Sequence, residues 1–68
     1  MPKYLVYVED DTIMDNAAVG FWSFDVECIM YKKENATSFD DLRKVLNAAV
    51  ELKQNKKYLE ISIMVELS

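Results

Sequence analysis

Residues Gly20–Lys33 read GFWSFDVECIMYKK, and the fold turns on how this stretch is parsed. Its even positions, Trp22, Phe24, Val26, Cys28 and Met30, are all apolar, while Ser23, Asp25 and Glu27 stand at odd positions. Alternation with a period of two places successive side chains on opposite faces of an extended chain. The stretch therefore predicts one strand over about residues 20–32, buried on its even face and wet on its odd face. Cys28 falls on the buried set, so the reading makes it a small hydrophobe and not a reactive thiol.

Two further strands and a helix flank this one. Lys3–Glu9, KYLVYVE, is apolar on both alternating sets, with Tyr4, Val6 and Val8 on one and Leu5 and Tyr7 on the other. That is the composition of a central strand. At the other end, Lys57–Leu67 alternates Leu59, Ile61, Ile63, Val65 and Leu67 against Tyr58, Glu60, Ser62, Met64 and Glu66. Between them, Phe39, Leu42, Val45, Leu46, Ala49 and Leu52 fall on one stripe of a helix over about residues 39–54. Ser38 is the expected N-cap, and Asn55 the expected left-handed residue at the exit.

These elements give a single α+β domain over residues 1–68, in the order β-β-α-β. Its strands lie at about 3–9, 20–32 and 57–67. One amphipathic helix covers one face of a three-stranded sheet. Strand order 2-1-3 makes every neighbouring pair antiparallel and puts the doubly apolar first strand in the middle. Order 1-2-3 is the competing arrangement, with a parallel pair across the helical crossover.

Bulk composition narrows the function. A chain of 68 residues buries about 60% of its unfolded surface, so its core is small. There is one cysteine, hence no internal disulfide, and no histidine, which removes the commonest general base and zinc ligand. We expect no signal peptide, no membrane span, a cytoplasmic setting, no cofactor and no enzymatic activity. The net charge of −4 is uneven: residues 1–31 carry one lysine against six carboxylates, whereas residues 32–57 are mildly basic. Direct nucleic-acid binding needs a concentrated basic face and is disfavoured.

Glu9, Asp10, Asp11 and Asp15 crowd one short stretch, but the spacing lacks the alternating ligands and turn glycine of a calcium loop. Asp25 and Glu27 could form a carboxylate pair, yet acid/base work on a glycoside needs a deep cleft. What remains is a surface: the uncovered sheet face, apolar in the middle and acidic around it. Its expected partner-binding residues are Glu9, Asp10, Asp11, Asp15, Asp25, Glu27, Tyr31, Tyr58, Glu60, Met64 and Glu66. The partner expected is a protein with a basic surface, and a homodimer through the sheet face or an edge strand is the alternative. In size, acidity and lack of catalytic residues the chain is similar to phage-encoded inhibitors of host defence such as anti-CRISPR proteins. That resemblance implies a non-enzymatic inhibitor acting on a host nucleic-acid-handling protein. It rests on profile alone, with no family motif behind it.

Overall fold

In the computed structural model, which describes residues 2–10 and 18–67, the chain forms a curled antiparallel sheet with one helix against it. The strands are β1 (Lys3–Asp10), β2 (Ala18–Ser23), β3 (Cys28–Met30), β4 (Ser38–Phe39) and β5 (Leu59–Glu66). The helix α1 spans Leu42–Asn55, and a short 3-10 turn occupies Lys33–Asn35. Across the sheet the order is β3-β2-β1-β5, and β4 also pairs with β1. The first strand is indeed central and every pairing is antiparallel. Among the described residues the sheet has five strands, however, and not three.

One strand is gained because Gly20–Lys33 is a hairpin and not one strand; the other is β4. Residues 24–27 form a turn. Ser23 Oγ accepts from the Val26 amide at 3.5 Å, and Glu27 adopts a left-handed φ of 53°. In β2–β3 the partners are Phe21–Met30, Trp22–Ile29 and Ser23–Cys28, so even residues before the turn pair with odd residues after it. The turn thus exchanges the two faces. Ile29 joins Trp22 on the helix side, while Cys28 and Met30 move to the open side with Phe21. Cys28 is consequently exposed, contrary to its reading as a buried hydrophobe.

The other change lies at the helix entrance. Ser38 and Phe39 do not cap and begin the helix; they pair with Leu5 and Tyr4 as β4. They take the place beside β1 that β2 leaves as it curls away, and the seam is closed by Thr37. Its amide donates to the Trp22 carbonyl at 3.4 Å, and its hydroxyl accepts from the Phe24 amide at 2.8 Å. Phe39 meets Phe24 edge to face, ring centroids 5.7 Å apart. The helix starts three residues later than expected, capped by Asp41, whose carboxylate accepts from the Arg43 amide at 2.8 Å. It ends without a left-handed residue: Lys56 closes it with its amide on the Leu52 carbonyl.

The core is one cluster of Val6, Val8, Trp22, Val45, Leu52 and Leu59, with Tyr4, Phe24, Ile29, Phe39, Ala49, Ile61 and Ile63 packed around it. Each fully buried aliphatic side chain contributes about 1.5–3 kcal/mol. Gly20 belongs to this packing by virtue of lacking a Cβ. A methyl built there would lie 2.5 Å from the Met30 carbonyl oxygen and 2.7 Å from an Ile29 methyl carbon. Only glycine lets β3 close this tightly over β2.

Candidate functional site

The register arranges the open face in rows. On one row Val19, Glu9 and Glu60 lie side by side across β2, β1 and β5. The next holds Met30, Phe21, Tyr7 and Ser62, with the Tyr7 and Phe21 rings edge to face at 5.7 Å. Then come Ser38, Leu5 and Met64, and finally Lys3 beside Glu66. Leu5 is buried although it points away from the helix. It shares a depression of about 240 Å³ with Lys33, Glu34 and Ala36, so the 3-10 turn comes back over this end of the face. Lys33 Nζ holds that turn down on Glu66 at 3.1 Å.

The face is therefore electrically lopsided. At the β1 N-terminal end Glu66 is matched by Lys33 and flanked by Lys3. At the other end Glu9 and Glu60, both exposed, oppose each other directly, and among the described residues neither has an ion pair. Like charges directly opposite on neighbouring strands are destabilising. Between the two ends Tyr7, Phe21, Met30 and Met64 make an apolar strip.

The expected site residues are brought together only in part. Glu9 and Glu60 meet in register, and Met64 lies along the same face. Glu66 is at the far end, in its bridge to Lys33. Asp10 is half-buried on the helix side, opposite Ala18 and Leu59. Asp25 and Glu27 do not lie on the sheet face expected for them; they are exposed on the turn between β2 and β3, away from Glu9 and Glu60. Tyr31 is 81% exposed just beyond β3, and Tyr58 is 48% exposed in the turn before β5. Asp11 and Asp15 fall outside the described residues.

Tyr7 and Phe21 are the aromatic members of the face missing from the expected binding set, and Met30 and Val19 are missing with them. Their signal was present in the alternation, but the hairpin had to be recognised before Met30 and Val19 could be placed beside them. A second groove, about 180 Å³, lies on the helix side between Trp22, Phe24, Glu27, Ala48, Glu51 and Leu52. Both depressions are smaller than the roughly 300–1,000 Å³ of small-molecule sites; a third, of about 470 Å³, is an open surface lined by Asp41, Leu42, Arg43 and Leu46. Among the described residues no group of three or more acidic or cysteine side chains is placed to hold a metal ion, and no helix is long and apolar enough to cross a membrane.

No protein-family model, curated protein or solved structure matches the chain.

Proposed function

We propose that this chain is a non-enzymatic binding protein that engages a protein partner through the open sheet face, covering a basic surface on that partner. The observation that carries the reading is the exposed Glu9–Glu60 pair beside the Tyr7–Phe21 rings. A lysine or arginine from a partner would relieve the repulsion between these carboxylates, and burial of the aromatic strip would add the non-polar contribution. Asp25, Glu27 and the other carboxylates of the first half of the chain act at longer range, speeding encounter with a positive partner in a salt-dependent way. A basic groove that otherwise holds nucleic acid is the class of surface such a face fits, which makes the protein an occluding inhibitor of the anti-CRISPR type.

The test is affinity capture with the wild-type chain and with Glu9→Lys/Glu60→Lys, followed by identification of what is retained. The double reversal replaces one like-charged pair by another, so stability should stay near wild type. A basic protein retained by the wild type at low salt, released by added salt and lost with the double reversal is the expected result. Equal retention by both chains would overturn the assignment of this face.

A further inference from the structure

The edge of the sheet carries a second surface. β5 is eight residues long, and among the described residues its one strand partner is β1. It contains no proline or lysine, and its charges are Glu60 and Glu66 alone, so the usual protection of an edge strand is partial. Among the described residues a side chain takes up backbone carbonyls at its start, where the Lys53 ammonium donates to those of Leu59 and Lys57. That contact also fixes which flank of α1 leans over β5. Ala48, Glu51 and Asn55 line the groove on the β2–β3 side, so the opposite flank carries Lys53 together with Leu42, Leu46 and Val50. These three, spaced i, i+4 and i+8, are 48%, 46% and 57% exposed, and Val65 on the helix side of β5 is 52% exposed. The helix stripe is wider than the sheet beneath it, and the surplus lies along the open edge.

The helix-side positions of this edge are matched in character about Ser62. Reading outward, Ile61 answers Ile63, Glu60 answers Met64, and Leu59 answers Val65. An isologous two-fold contact needs a surface complementary to itself. We infer that two copies of this chain join through antiparallel β5–β5 pairing centred on Ser62, forming one continuous sheet with both helices on the same side. Each register position then keeps like faces together: Ile61 lies against the partner's Ile63 and Leu59 against the partner's Val65. Glu60 lies against the partner's Met64 and never against a second glutamate. A shift that centred the axis on Ile63 would instead set Glu60 against the partner's Glu66, a like-charge contact that selects against it. Leu42, Leu46 and Val50 of each copy flank the seam on the helix side. The seam shares Glu60 and Met64 with the binding face, whereas Glu9, Tyr7 and Phe21 lie off it on β1 and β2.

The decisive experiment is a symmetric crosslink in a Cys28→Ser background. Opposed residues of an antiparallel pair have Cβ atoms about 4.5–5.5 Å apart, close to disulfide reach. Ser62→Cys should therefore give a covalent dimer under oxidised glutathione, whereas Ser38→Cys, exposed on β4 across the sheet, should remain monomeric. Adding Val65→Lys should abolish the crosslink and leave the far-ultraviolet circular dichroism unchanged. By sedimentation the unmodified chain should run at twice the chain mass, and Val65→Lys at the mass of one chain. A wild-type chain that stays monomeric at high concentration would overturn the inference. So would Ser62→Cys crosslinking no faster than Ser38→Cys.

Discussion

Gly20 and Glu27 bracket the hairpin and bear opposite consequences for substitution. At Gly20 the obstacle is backbone, the Met30 carbonyl oxygen, which cannot swing aside as a flexible side chain would. Gly20→Ala must push β3 off β2, and overpacking of this kind costs about 1–3 kcal/mol. Urea denaturation should record that loss as a lower midpoint. Glu27 is the reverse case, a residue with a Cβ held at φ 53°, where L-residues carry a penalty of roughly 1–2 kcal/mol that glycine does not. Glu27→Gly should raise the urea midpoint, with the greater freedom of glycine in the unfolded chain offsetting part of the gain. An unchanged or lower midpoint would contradict the strain reading of this turn.

The elements differ in how much of themselves the sequence discloses. The β5 alternation holds from Leu59 to Ile63 and fails beyond it, where Val65 and Leu67 run past the cover of the helix and are exposed, and the central place of β1 follows from its two apolar faces. The β2–β3 hairpin was hidden by chance agreement. Phe24 and Val26 are apolar at the positions where a continuous strand would want them, so the alternation runs straight through the turn. No Asn-Gly or Asp-Gly pair marks it. Phe24 can sit in a turn because it folds back onto Phe39, a contact between residues distant in sequence. The helix entrance was obscured in the same way: Ser38 is a good cap by type, but the vacancy beside β1 draws it into a strand. The two candidate caps can be separated by experiment. Asp41→Ala should cost about 1 kcal/mol through the lost bond to the Arg43 amide, read as a lower thermal midpoint, whereas Ser38→Ala should change it by much less. Equal losses would return the cap to Ser38. The acidic site was legible as composition and not as geometry, since only the register shows that Glu9 meets Glu60 while Asp25 and Glu27 project from a turn.

At the scale of the molecule, a core cluster of six buried side chains among the described residues leaves a domain of this size a few kcal/mol of stability; about 3–5 is typical. A like-charged pair on the open face is a measurable fraction of that. Its retention is intelligible if the face serves binding, because residues placed for a partner need not favour the isolated fold. The same small core is consistent with a chain that completes itself by pairing along β5, which would stabilise it by mass action. Glu9 separates the two surfaces, since it sits on the central strand and touches the proposed binding face alone. The most direct measurement is therefore the urea midpoint of Glu9→Lys alongside its retention of the partner captured by the wild type. A lysine there faces Glu60 across the strands, and such opposite-charge pairs contribute roughly 0.2–1 kcal/mol. We expect the midpoint to rise while the partner is lost, the fold gaining from the substitution that disables the face. Retention equal to wild type in the stabilised variant would contradict the account.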